Sequence, residues 1–462
     1  MSRRFRRWAA AVAAAALTCG LAACGAGSGG SSDPHTLVVW NLDGQPDRMA
    51  AVQKINARFT ARTGIKVKEV AVLEAQLPSL TASAAVSGTL PDLVSGLPLA
   101  LVRQFRQQQL LDPKAATRVV DDLGRSTFAP KALTLTQEGH SQLAVPSDAW
   151  VQLLGYRKDL FAQAGLAAPT TYDRIQRAAR VLTNNGRYGI TLATDPADPF
   201  TQQSFESLAL GNDCQMVSSS GRVEIDSRAC RDTFQLYGDL ARNDSPVGTQ
   251  TVDSTRASYF AGQSAMIIWS TFLLDELAGL RSDALPTCPQ CRHDSTFLAR
   301  NTGLVTAVQG PDGTHPVGYG EIACWAFFAG HKTAASDYVR FMMSDGYRDA
   351  LAIAPEGKYP VRNGNARHPH EYVDLWPSLP AGVDKKRPLD KVYDHRTLQQ
   401  VAHAIKTMQR WAIPQGQGEL LGPVVAESVI PKAVSSLANG EPAGDAARDA
   451  QNAVTDIQRS LK

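Results

Sequence analysis

The apolar positions of the chain switch period in a repeating order. Thr36-Leu-Val-Val-Trp40 is a continuous β-prone run that ends in the turn Asn41-Leu-Asp-Gly-Gln-Pro46. From Asp47 the apolar residues Met49, Val52, Ile55 and Phe59 fall three or four apart, which predicts a helix, and Gly64 predicts its stop. Ile65-Lys-Val-Lys-Glu-Val70 returns to period two. A helix linking two such strands predicts that they lie parallel. A second helix is expected through Leu80–Val86 and a third strand at Leu90–Ser95. Farther on, Gln142–Ser147 predicts a short strand closed by a turn, and Val151–Tyr156 predicts another. A brief helix follows from Lys158 to the Gly165 stop, and Thr170 or Thr171 caps one through Ile175, Ala179 and Leu182. The last third is mostly helical, broken near Pro355–Pro360 and Pro414–Gly422. Alternating strand and helix define an α/β fold.

The 462 residues, 44% hydrophobic and 20% charged, exclude a disordered chain or a disulfide miniprotein and suit two or three globular units. The formal charge of +3 is concentrated at the start. Residues 1–23 carry Arg3, Arg4, Arg6 and Arg7 with no acid, followed by an apolar run too short to span a bilayer and then Leu21-Ala22-Ala23-Cys24. This pattern predicts a signal peptide over 1–23. Its last four residues resemble the lipobox of bacterial lipoproteins, which makes Cys24 the expected lipidation site. Residues 24–35 then form a flexible Gly/Ser-rich tether. Taking those four arginines from 47 basic residues leaves 43 against 44 acidic ones, a formal net of −1 that gives no reason to expect nucleic acid as a partner.

Five cysteines remain on the exported body. Cys214 and Cys230 flank Val217–Ile225, whose Ser/Gly centre reads as a turn between two short strands, and a disulfide between them is expected. Cys288-Pro-Gln-Cys291 has three readings: half a zinc site, a redox motif or a loop disulfide. It lacks a second ligand pair and lies in a Pro-containing loop, so a disulfide is the expected state. Cys324, inside the apolar run Ile322–Phe328, is expected as a buried thiol. His368-Pro-His370-Glu371 is expected as a solvated loop, and no metal or other cofactor is expected anywhere.

Four blocks in order resemble the extracellular solute-binding proteins of ATP-driven importers, closest to the carbohydrate-binding group that includes maltose-binding protein. They are Val38–Trp40 with its helix and Thr63-Gly-Ile-Lys-Val-Lys68; Ser87-Gly-Thr-Leu-Pro-Asp-Leu-Val94; Leu143-Ala-Val-Pro146 followed by Leu154-Gly-Tyr-Arg-Lys-Asp-Leu-Phe161; and Tyr338-Val-Arg-Phe341 with Glu356-Gly-Lys-Tyr-Pro-Val-Arg362. The resemblance implies a two-lobed, type II periplasmic-binding-protein-like fold with the ligand in the cleft between lobes. It places lobe one at 36–146 plus 304–343 and lobe two at 147–303 plus 344–462. It further implies a monomer that delivers a sugar to a membrane permease served by a separate ATPase, with no covalent chemistry. The stretch Leu280–Thr302 has no counterpart in that pattern.

No nucleophile elbow, His-Glu-x-x-His or phosphate-binding loop occurs in the sequence. A pyranose presents apolar C–H faces and a ring of hydroxyls, so its site needs aromatic surfaces plus carboxylates or amides. The expected ligand-binding residues, at strand tips and crossing segments, are Trp40, Asp43, Glu74, Gln76, Ser95, Asp148, Trp150, Gln203, Trp269, Ser270, Tyr319, Glu321 and Tyr359, with Asp195 or Asp198 beside Gln203. Trp325, Trp376 and Trp411 are expected in the core. The same fold holding a polyamine or a phosphodiester, and an exported glycosidase, are the alternatives. The absence of arginine among these candidates disfavours phosphate.

Overall fold

A computed structural model describes residues 33–184 and 186–461. The signal peptide and Cys24 lie outside the described residues. Eight strands form the principal sheet: β1 (Thr36–Asn41), β2 (Lys66–Ala71), β3 (Leu93–Leu97), β4 (Val145–Arg157), β5 (Met266–Ser270), β6 (Thr302–Val305), β7 (Gly320–Phe327) and β8 (Tyr359–Pro360). Their order is β8-β4-β7-β3-β1-β2, with β5 and β6 both paired to the far half of β4.

The opening unit follows the hydrophobic pattern closely. β1 buries Leu37 and Val39 on one side and pairs in parallel with both β2 and β3. The helix between β1 and β2 runs Pro46–Thr63, with Pro at its first position, where no N–H is missed. Val52, Ile55 and Phe59 form its buried stripe. Gly64 adopts φ 74° and its N–H donates to the Thr60 carbonyl, a conformation glycine reaches without a Cβ clash. Three later helix starts are fixed by side-chain caps: Thr171, Asp198 and Ser227 each accept a bond from a backbone N–H of the first turn.

β4 differs from the sequence expectation. Residues 145–147 of the first expected strand (Gln142–Ser147) and the whole of the second (Val151–Tyr156) fall in one continuous strand of 13 residues, without the intervening turn, while Gln142 belongs to a separate two-residue strand, Ser141–Gln142. Pro146 is tolerated because it is only the second residue of the strand, and the ladder to β7 shifts register between Pro146 and Asp148. The first half of β4 pairs with β7 and β8 and the second half with β5 and β6, all antiparallel. Trp269 and Ser270, expected past the end of a strand, instead lie within β5, and Glu321 lies within β7. Late in the chain, helices Val429–Ala438 and Ala443–Ser460 pack on helix Arg228–Asn243, burying Val434, Leu437, Val454 and Ile457. No single helix among the described residues is long and apolar enough to cross a membrane.

Both expected disulfides are present, Cys214–Cys230 and Cys288–Cys291, and Cys324 is a buried thiol. The first closes a loop 16 residues apart in sequence with both sulfurs fully buried. Loop-closure entropy of that size makes the C214S/C230S double variant about 3 kcal/mol less stable. Guanidinium unfolding of oxidised wild type and the variant measures the difference, and a loss under 1 kcal/mol would show that packing alone holds the segment.

Candidate functional site

Helix Pro199–Ala209 starts after β4 and its following helices, and Gln202 and Glu206 stand one turn apart on it. Residues four apart share a helix face. That face fronts a cavity of about 160 Å³, which Gln203 also lines. The opposite wall comes from the first βαβ unit: Glu74 and Ala75 in the single helical turn after β2, and Pro98, Ala100 and Leu101 after β3. Tyr319 and Glu321, around the start of β7, contribute further lining, as do Arg410 and the segment Val425–Ser428. Gly320, between Tyr319 and Glu321, admits the close approach of Met408, since a Cβ there would lie 2.1 Å from its sulfur. That approach brings the segment ending in Arg410 against β7, with the Gln409 N–H donating to the Gly318 carbonyl.

Arg410 organises the cavity. Its guanidinium reaches Glu206 at 3.3 Å, contacts Glu321 directly and lies 4.7 Å from the Tyr319 ring centre. Glu206 Oε1 also accepts the Trp411 N–H at 2.9 Å, and Glu321 Oε1 accepts the Leu99 N–H at 3.0 Å. Trp411 is held in turn by its indole N–H, which donates to the Cys214 carbonyl at 2.7 Å. The following residue, Ala412, sits at φ 61°, and Ser428 on the cavity wall sits at φ 52°. Such left-handed non-glycine residues cost roughly 1–3 kcal/mol each and collect where a ligand clamp must be held in shape.

The polar balance of the cavity is unequal. Burial raises the Glu206 carboxyl above its ordinary range despite Arg410, and its Oε2 has no hydrogen-bond partner among the described residues. Gln202 Oε1 is likewise buried without one. Glu74 remains open to solvent in the cleft, yet the protein packed around it, then the charges of Glu321 and Asp198, raise its carboxyl to about 7 against the pull of Arg410.

Of the residues expected from sequence, Glu74, Gln203, Tyr319 and Glu321 therefore share one cavity. Asp43, Ser95 and Asp148 line a second, smaller one of about 30 Å³. There Lys358 Nζ lies 2.5 Å from Asp43 and 3.6 Å from Asp148, Arg48 lies 2.7 Å from Asp43, and the Ser147 hydroxyl donates to Asp148 at 2.7 Å. Burial would raise Asp43, but Lys358 and Arg48 more than offset it and hold the carboxyl well below the usual range. Asp148 goes the other way, because its burial outweighs Lys358.

Neither cavity is lined by the other candidates. Trp150 packs between Phe272 and Tyr319, behind the larger cavity. Trp40 meets Phe328 edge-on, Trp269 is buried against Phe200 with its indole N–H donating to the Val252 carbonyl, and Tyr359 packs on Trp376. Ser270 is buried in the ladder opposite Gln152, Gln76 is exposed, and Asp195 caps the Ala197 N–H. Sequence reasoning missed Gln202, Glu206 and Arg410. The four-residue spacing of the first two was readable; Arg410 lies in an irregular segment with no local signal. Trp325, Trp376 and Trp411 are buried, as expected. No group of three or more potential metal-ligating side chains occurs among the described residues.

The sequence profile of the bacterial extracellular solute-binding protein family matches residues 43–276, about half of the chain. The Escherichia coli protein YcjN, a candidate periplasmic-binding protein of an ABC transporter, is 28% identical over 327 residues, covering 69% of this chain and 71% of its own. Three solved structures share the fold. The GacH receptor of Streptomyces glaucescens, solved unliganded and with acarbose, aligns with TM-score 0.69 at 18% identity over 92% of this chain and 99% of its own. Maltose-bound MalE3 of T. maritima gives 0.69 at 18% over 91% and 99%. A sugar transporter of Arthrobacter chlorophenolicus with bound laminaribiose gives 0.70 at 14% over 91% and 99%. Profile, relative and two-lobed fold agree: the chain belongs to the bacterial extracellular solute-binding proteins, the extracytoplasmic, non-enzymatic binding components of ABC transporters.

Proposed function

We propose that the protein captures a saccharide in the cavity around Arg410 and delivers it to the membrane permease of an ABC importer. The observation that carries this reading is the pair of buried acceptors without partners among the described residues, Glu206 Oε2 and Gln202 Oε1, on one helix face of a partly apolar cavity. A buried acceptor left unmet costs about 1–3 kcal/mol, and sugar hydroxyls are donors that would meet both. Pro98, Leu101, Pro199 and Val425 offer apolar surface to the C–H faces of a ring. The acarbose, maltose and laminaribiose held by the structurally similar proteins name the class of ligand to test first.

Residues 36–146 with 304–343 then form one lobe and 147–303 with 344–462 the other. The lobes close by hinge rotation because contacts to both walls are available only when the ligand bridges them. The protein acts as a monomer, lipid-anchored through Cys24 and tethered by residues 24–35 close to the membrane. Thermal unfolding of the mature chain with a panel of mono- and oligosaccharides tests the assignment. A ligand at one hundred times its Kd stabilises the folded state by about 2.7 kcal/mol, so at least one sugar should raise Tm measurably. A panel without any shift would remove the carbohydrate reading.

A further inference from the structure

The cavity holds more carboxyl groups than its own cation can pair with. Glu74, Glu206 and Glu321 line it, Asp198 caps the helix at its edge, and Arg410 is the single cationic side chain among the lining residues. Arg410 is already committed to Glu206 and Glu321, and its guanidinium is 3% exposed. Glu74 makes no side-chain hydrogen bond or ion pair among the described residues. Glu206, completely buried, still has one oxygen without a partner, and Gln202 beside it has another. These two buried acceptors belong to the same cavity as the surplus carboxylate.

A neutral hydroxyl would satisfy the acceptors but leave Glu74, when ionised, without a compensating charge. An ammonium group supplies three donors and a compensating charge together, and hydrogen bonds between charged partners are about twice as strong as neutral ones. We propose that the ligand is a saccharide bearing a protonated amine, with Glu74 as its counter-charge and Gln202 and Glu206 as acceptors for the flanking donors. This deepens the saccharide reading above and rests on it. The same crowding that raises Glu74 to about 7 leaves that carboxyl partly protonated at neutral pH. An incoming ammonium favours its ionised form, so amine binding displaces a proton whereas binding of a neutral sugar does not.

Isothermal titration of the mature chain near neutral pH tests the inference directly. Glucosamine, galactosamine and mannosamine are each compared with the parent hexose and the N-acetyl derivative, in two buffers of different ionisation heat. At least one amine should bind roughly tenfold or more tightly than both its neutral counterparts, as a charge-assisted bond predicts, and should release protons. Glu74→Gln should shrink that ratio severalfold and remove the proton release. If neutral hexoses bind as tightly as the amines, the amine inference fails and the saccharide assignment survives. If none of the amines binds, the amine inference fails; if no member of the wider mono- and oligosaccharide panel binds either, whether or not spermidine does, both fall.

Discussion

Arg410→Met is expected to lower the unfolding free energy by about 3–5 kcal/mol and to abolish ligand binding. The guanidinium spans Glu206 and Glu321, whose side chains are almost completely buried, and no other cation among the described residues lines that cavity. Removing one partner of a buried ionic set is costly because the remaining charges keep their desolvation penalty without its compensation. Methionine preserves most of the apolar stem, which separates the charge effect from a cavity effect. Arg410→Lys should recover less than half of the loss, since an ammonium lacks the planar fork that serves two carboxylates at once. Denaturant unfolding at neutral pH measures the effect. The deficit should shrink on acidification, where the stranded carboxylates take up protons and cease to be charged. A loss below 1 kcal/mol would mean that the rest of the wall, and not this ion set, holds the cavity.

Lys358→Met is expected to cost about 3 kcal/mol by the same physics acting in the smaller cavity. Lys358 lies between Asp43, in the turn after β1, and Asp148 in β4, so its loss leaves Asp148 without a cationic partner and Asp43 with Arg48 alone. The pH dependence has a definite sign. Asp43 is held below its unfolded value, so its contribution is fully present above pH 3.8 and lost as pH falls toward its folded value. The gap between wild type and variant should therefore be widest near neutral pH and narrow below about pH 4. Urea titrations at pH 7 and pH 3.5 distinguish this from a pH-independent loss of packing.

The contrast between these clusters shows what a one-dimensional pattern carries. The first βαβ unit was legible because its signals are local: a β-prone run, a three-to-four spacing and a glycine stop each act within a turn or two of chain. Glu74, Tyr319 and Glu321 were legible as strand-tip residues, and their meeting in one cavity follows from the parallel order of β1, β2 and β3 beside β7. Arg410 was not, because its partners Glu206 and Glu321 are distant in sequence and its own segment has no period. Asp43 and Asp148 were legible as acids near the crossing, but the lysine and arginine that engage them became visible only with the fold. β4 was misjudged because Pro146 and the polar pair Ser147-Asp148 read as a break, whereas the ladder absorbs them in a register shift.

That single strand has a mechanical corollary. Its near half is zipped to β7 and β8 and its far half to β5 and β6, so one backbone is the central rail of two ladders. Pulling β4 out of both ladders leaves β7, β8, β5 and β6 each with an unpaired edge. Residues 145–157 are thus the one backbone that both ladders need, and disorder in that strand removes pairing partners from each of them.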